Sequence, residues 1–273
     1  MSTGLTLPPA VGLPPRRGTT LGRVVAAEWS KAWGLRSTRW VVAVMVLLPA
    51  ALAWLGGNDP LVGPDGYGSV AYYVTSTLIV TQFPMLLLGV LLGSGEFSSR
   101  SAGPTFLAVP SRTLVLVAKA LVTTAVAALT ATLTLGLAAG ATLLSDLGPG
   151  LSTALTPETT RMWVGSAAYL VAATVFCFGL GMLLRRSTTA VLVAFVVFVL
   201  GIAAVVVPDA LQPVLAVLPG HAATLVPATD GFLELLRDLG QLPVGAWTSV
   251  AVTGGWALIV LAVAAVRLRG RDV

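Results

Sequence analysis

At 273 residues the chain is 56% apolar and 10% charged, with a mean hydropathy of +0.92, where soluble domains are about 25% charged. That composition excludes a water-soluble globule, and a single cysteine, Cys177, excludes an intrachain disulfide or a cysteine metal cluster. The net charge of +5 arises from basic residues collected in a few connections and tails, which reports membrane topology and contact with anionic lipid rather than nucleic-acid binding.

Residues 1–19 are rich in Pro, Gly and Thr, lack periodicity, and are expected to be a disordered tail. From Leu21 the pattern changes. Leu21, Val25, Trp29, Ala32 and Trp33 recur at helical spacing with Arg23 and Ser30 opposite, which predicts an amphipathic helix over 20–38 lying in the inner interface, a depth that suits Trp29 and Trp33. Glu28 falls beside the apolar arc, where it can pair with Lys31 at i+3 or with Arg36, or contact a cytoplasmic partner. Arg39 before an apolar run, with Ala51-Leu52-Ala53 behind it, imitates a secretory leader. The stretch ahead of that run is too long for one, since such leaders total about 15–30 residues.

Six apolar runs follow, near 40–57, 70–93, 114–144, 162–184, 188–207 and 246–266. Each can cross a hydrocarbon core, which takes about 20 helical residues. Their unbroken apolarity excludes the alternating strands of a barrel. The expectation is an all-α, polytopic membrane protein with six spans over 39–273. Basic residues cluster in the N-terminal segment, in the second and fourth connections with their flanks, and in the tail, where fourteen of the sixteen lie. Acidic residues concentrate on the other side, so both termini are expected in the cytoplasm.

The second run carries Gln82 and Pro84 at mid-depth and the Gly89/Gly93 pair near its inner end. The glycines permit close helix contact. Gln82 must face a neighbouring helix or an aqueous cavity. Between the second and third runs lies a polar hairpin over 95–112, with Pro104 suited to open a short helix and Pro110 to close it. Phe106 and Leu107 give it an apolar side, flanked by Glu96, Arg100 and Arg112, a form that suits docking into a partner's groove. The third run would reach about 46 Å at 1.5 Å per residue, so its first turns project into the cytoplasm and Lys119 can snorkel at the boundary. Thr123, Thr130 and Thr134, with Gly136 and Gly140, make it the most small-and-polar helix and a candidate lining for a central interface. Arg185 and Arg186 join the fourth and fifth runs in a tight antiparallel pair.

The segment 208–245 is predicted to hold one amphipathic helix, with Phe232, Leu235, Leu236 and Leu239 on one face, lying at or dipping into the outer leaflet as a lid. His221 is the sole histidine, expected to be structural or solvated rather than catalytic.

No phosphate-cradling glycine loop, His-Glu-x-x-His or Gly-x-Ser-x-Gly occurs, so no catalytic, metal-binding or cofactor-binding residue is expected in this chain. A permease driven by a separate ATPase remains, with a non-transporting scaffold or a secondary transporter as alternatives. The last should carry ionisable residues at mid-membrane, and the six runs are nearly free of them.

Ala27-Glu28-Trp29-Ser30-Lys31 followed by Leu35-Arg36-Ser37-Thr38 resembles the amino-terminal signature of permease subunits of type-2 ATP-binding-cassette exporters, especially actinobacterial ones. Glu96-Phe97-Ser98, Thr105 to Arg112 and Val117-Ala118-Lys119-Ala120 are similar to that family's connection between spans two and three, and the closing Arg-Leu-Arg-Gly-Arg-Asp-Val resembles its tail. Ser101-Ala102-Gly103-Pro104 departs from it, where relatives more often carry a small, a β-branched and a basic residue. The resemblance implies a bacterial cell-membrane protein that pairs with a second permease subunit and with cytoplasmic ATPase subunits holding ATP-Mg. It also implies an elbow helix bearing Glu28, Trp29, Lys31 and Trp33, and coupling to the ATPase through Glu96, Arg100, Phe106, Leu107 and Arg112. A path along Gln82, Thr123, Thr130 and Thr134 and an outer gate with Phe232 and Leu236 complete the expectation, with export of an amphiphilic or hydrophobic cargo.

Overall fold

The computed structural model describes residues 20–59, 68–98, 112–204, 206–208, 210–241 and 244–270. Among them every regular element is helical. The expected disordered tail 1–19 and the knuckle with Arg100, Phe106 and Leu107 lie outside the described residues, as do the side chains of Glu96 and Arg112.

Helix α1 (Leu21–Gly34) ends at Leu35, whose extended backbone, φ −80° and ψ 126°, turns the chain sharply into α2 (Arg36–Gly57). The second apolar run is two helices, α3 (Val70–Ser76) and α4 (Leu78–Ser98), parted at Thr77. The third and fourth are α5 (Arg112–Leu143) and α6 (Pro157–Leu184). Pro157 sits at the first helical position of α6, and Thr156 and Thr159 cap each other's backbone amides at 3.1 and 2.8 Å. Helix α7 (Ser187–Ala203) follows after a two-residue turn in which Arg185 takes a left-handed φ of 57° and returns its amide to Gly181. Two single-turn helices, α8 (Gln212–Leu215) and α9 (Ala222–Leu225), precede α10 (Asp230–Asp238) and the last long helix, α11 (Ala246–Gly270).

Five helices, α2, α4, α5, α6 and α11, are long and apolar enough to cross a membrane. The expected fifth run stops earlier than its apolarity implies. At 17 residues, α7 spans about 25 Å against a hydrocarbon core of about 30 Å. It ends because the chain folds back on it. A side chain at Gly201 would strike the backbone at Pro219 and His221, and Gly220, at φ 106°, lies against the Phe198 backbone.

Helix α6 is the axis of the bundle. In its most apolar window 67% of residues are buried, against 28% in α2 and α11, which form the wall. Its largest interface is with α4. There the predicted close approach is real: a methyl on Gly89 would collide with the Thr174 carbonyl, and one on Gly93 with that of Phe178, while Gly181 sits reciprocally against Val90 and Ser94. Pro49 and Pro84 lie inside α2 and α4 without ending them. Cys177, wholly buried, packs with Tyr169, Phe176 and Phe198 in the main core.

The molecule has two polar ends. At one, the base, α1 meets the start of α5, and the ends of α4, α6 and α11 cluster around Leu116, Met182 and Leu268. At the other, the crown, Asn58 at the end of α2 accepts a bond from the Asp146 amide, and the backbone around Ser69 pairs with Ser152. Charge follows the same division. Of the acids whose side chains are described, Glu28 alone is at the base, whereas Arg161 and Arg237 are the crown's described basic residues.

Candidate functional site: a charged base, an apolar groove and a latched crown

At the base, α1 divides into three faces at helical periodicity. Val24, Glu28 and Ala32 are buried against α5. Val25, Trp29 and Trp33 form an apolar flank, with the two indoles packed edge to face at 6.0 Å. Arg23, Ser30 and Lys31 make the polar flank. Of the expected apolar stripe Ala32 is buried, Val25 and Trp33 pack at the edge of the main core, and Leu21 and Trp29 are exposed, while the face turned to α5 centres on Glu28. The cause is its partner. Lys119 Nζ reaches Glu28 Oε2 at 2.6 Å, and Lys31 Nζ reaches Oε1 at 2.8 Å. Lys119, expected to snorkel, is 8% exposed and turned inward, while Arg36, the alternative partner of Glu28, is exposed. Nearby, the Arg185 guanidinium lies over the Phe97 ring at 5.2 Å, and the Ser94 and Ser187 hydroxyls meet at 2.8 Å, joining the end of α4 to the α6–α7 turn.

In the interior, Gln82 is fully buried. Its carbonyl oxygen accepts from the Tyr169 hydroxyl, and its amide donates to the Ile79 carbonyl at 2.9 Å. Thr134 donates to the Met45 carbonyl at 3.1 Å, and Thr130 returns its hydroxyl to Val126. Thr123, with Thr130 and Thr134, is about 1% exposed. The structure thus places the four residues expected along a path between this chain's own helices, with Gln82 on α4 and the threonines on α5. A roomy cavity lies elsewhere. A groove of about 420 Å³ lies between α2, α4 and α7, lined by Trp40, Val44, Phe83, Pro84, Val191 and Phe195 among other apolar side chains.

At the crown, the segment after α7 is more deeply set than a surface lid. Ala222, Ala223, Leu225 and Val226 are essentially inaccessible, and Val226 packs directly on Gly165 of α6. Helix α10 has a different phase from the predicted one. Leu233 and Leu236 face the protein, while Phe232, Leu235 and Leu239 are about half exposed. Of the two expected gate residues, Leu236 is thus a packing contact and Phe232 points away. The helix is fastened by Arg161 of α6, which donates to the Asp230 carboxylate at 2.7 Å and to the Ala228 carbonyl, while the Asp230 amide donates to Glu158 at 3.0 Å. His221 is 2% exposed and neither ring nitrogen has a hydrogen-bond partner. Burial lowers its pKa from the usual imidazole value, with the Gly201 backbone opposing.

Reasoning from sequence named Lys31, which does pair with Glu28, but missed Lys119 as its second partner and the partners of Gln82 and Arg161, which lie 91, 87 and 69 residues away. One signal was available for the last: Arg161 is an isolated base on a side otherwise rich in acids. Among the described residues no three His, Cys, Asp or Glu side chains gather as metal ligands. The chain matches no model of a known protein family and no curated protein.

Proposed function

We propose that this chain is the membrane-spanning permease subunit of a type-2 ATP-binding-cassette exporter, moving an amphiphilic or hydrophobic cargo and driven by a separate cytoplasmic ATPase. The reading takes six crossings, with α3–α4 as the second and the short α7 as the fifth, completed on the crown side by the segment that folds back on it. The base, with its excess of Arg and Lys, faces the cytoplasm. Helix α1 is then the elbow, and the segment 95–112 between α4 and α5 is the coupling element.

The observation that carries this reading is the apolar groove. Its lining holds no ionisable group, and no Asp, Glu, Lys, Arg or His occupies the middle turns of the long helices. An ion-coupled transporter needs such groups at mid-depth. Gln82, Thr130 and Thr134 spend their hydrogen bonds within the chain, so the path runs along the groove wall, between this chain and a second permease subunit. On that wall Trp40, Val44, Leu87 and Phe195 are exposed. They form the face that such a subunit would share, with cargo entering sideways from the bilayer.

The test is purification of the chain with its ATPase and assay of ATP hydrolysis and export in vesicles. Export by the wild-type complex, with hydrolysis no longer tied to export in a Phe106→Asp/Leu107→Asp double variant that still inserts, is the expected result. Normal export by that variant, or labelling of a Ser101→Cys variant by an impermeant maleimide from the extracytoplasmic side, refutes the assignment.

A further inference from the structure

Glu28 and Lys119 form the one long-range ion pair at the base whose two side chains are both buried among the described residues, at 5% and 9% exposure. The position of the pair is more telling than its existence. Glu28 sits in the middle of α1, a helix joined to α2 by the single extended residue Leu35. Lys119 lies two turns into α5, the helix that begins directly after the proposed coupling segment. Neighbouring contacts between α1 and α5 are apolar and small, Val24 and Ala32 being the other buried residues of that face, and apolar contacts of that kind can slide. A carboxylate enclosed by two ammonium groups cannot slide without exposing an uncompensated charge to a poorly solvated site.

We infer that Glu28 is a positioning residue that locks α1 to the inner end of α5, so that displacement of residues 95–112 reaches the first span through the Leu35 corner as well as through α4 and α5. This rests on the permease reading for its motor, but the lock itself is a property of the isolated chain. Lys31, 46% exposed, holds the second carboxylate oxygen and travels with Glu28 on the same helix. The same geometry explains why the face that α1 turns to α5 centres on an acid.

The experiment places spin labels at exposed sites on α1 (Ala26→Cys), α5 (Thr124→Cys) and α11 (Val266→Cys) of the full chain in lipid vesicles, with buried Cys177 left unlabelled. Without nucleotide, the α1–α5 distance should be single and narrow. It should broaden about twofold or more in Glu28→Gln and in Lys119→Met, where the ionic link between the two helices is removed, and narrow again in the charge-swapped Glu28→Lys/Lys119→Glu chain. In the complex with the ATPase, ATP with vanadate should change the α1–α11 distance while leaving α1–α5 fixed; in Glu28→Gln the α1–α5 distance should change instead. If the wild-type complex shows no nucleotide-dependent movement, the permease reading fails, while the nucleotide-free comparison still decides the lock. An α1–α5 distribution as narrow in both single variants as in the wild type overturns the inference.

Discussion

The base and the crown are each held by one basic side chain from a long helix reaching an acid far away in sequence, yet the two ties differ in kind. At the base, Glu28 and Lys119 are both withdrawn from solvent and the carboxylate has a second cation on its other oxygen. At the crown, Arg161 is buried but Asp230 is 59% exposed, and the same guanidinium divides itself between that carboxylate and a backbone carbonyl. Water competes for one tie and scarcely reaches the other. Chemistry that looks equivalent in a list of ion pairs therefore yields a permanent joint at one end and a releasable one at the other. For the permease proposed above, that asymmetry lets the crown open while the base stays joined.

The sharpest way to break the comparison is to remove the base's carboxylate. Glu28→Leu takes the carboxylate away from the buried Lys119 ammonium and should destabilise the chain by about 3–5 kcal/mol, read from thermal unfolding in detergent. Lys119→Met should cost clearly less, because Glu28 keeps Lys31 and that ammonium remains in contact with water. Equal losses in the two variants would mean that the two-cation arrangement does not act as described.

A substitution at the crown should move stability the other way. His221 is buried with neither imidazole nitrogen at hydrogen-bond geometry to a partner, and the Gly201 backbone offsets only part of the burial, so the ring forfeits most of its water bonds. His221→Leu should stabilise the closed chain by about 1 kcal/mol. If the variant unfolds earlier than the wild type, the ring has a partner that this arrangement does not show.

How far the sequence reaches follows from which forces are local. The long helices were legible because a bilayer demands length and apolarity, both properties of a contiguous stretch, and the Gly89/Gly93 contact was legible because only a missing side chain admits a helix so closely. The break at Thr77 was not. Tyr72 to Leu78 contains neither Gly nor Pro, and the interruption is stabilised by Thr77 returning its hydroxyl to Val74 at 2.7 Å and accepting the backbone amides of Val80 and Thr81 at its carbonyl. Pro84 and Pro49, the residues that do announce breaks, sit inside helices. In α10 the periodicity was read correctly as amphipathic, but the helix has apolar residues on two adjoining faces, and only the packing of Leu233 and Leu236 beside Leu225 and Ala246 decides which one turns inward. Groove and ties alike join residues tens of positions apart, which no local pattern encodes.

The gentlest test concerns the crown latch alone. Asp230→Asn removes the charge from the exposed partner of Arg161 while leaving the Ala228 carbonyl contact and the Glu158 bond to the backbone amide in place. Because water already screens that carboxylate, the loss in global stability should be below about 1 kcal/mol, nearly lost within the error of a melting curve. Local opening should respond more clearly than the melt: amide exchange in α10 should rise, since the helix keeps its Thr229 cap, the Glu158 bond and the Leu233 and Leu236 contacts but loses the charge that ties its first turn to Arg161. Amide exchange in α1 should remain unchanged. If α1 loosens as well, the two ends are not independent, and the distinction between a fixed joint and a releasable one gives way to a single cooperative unit.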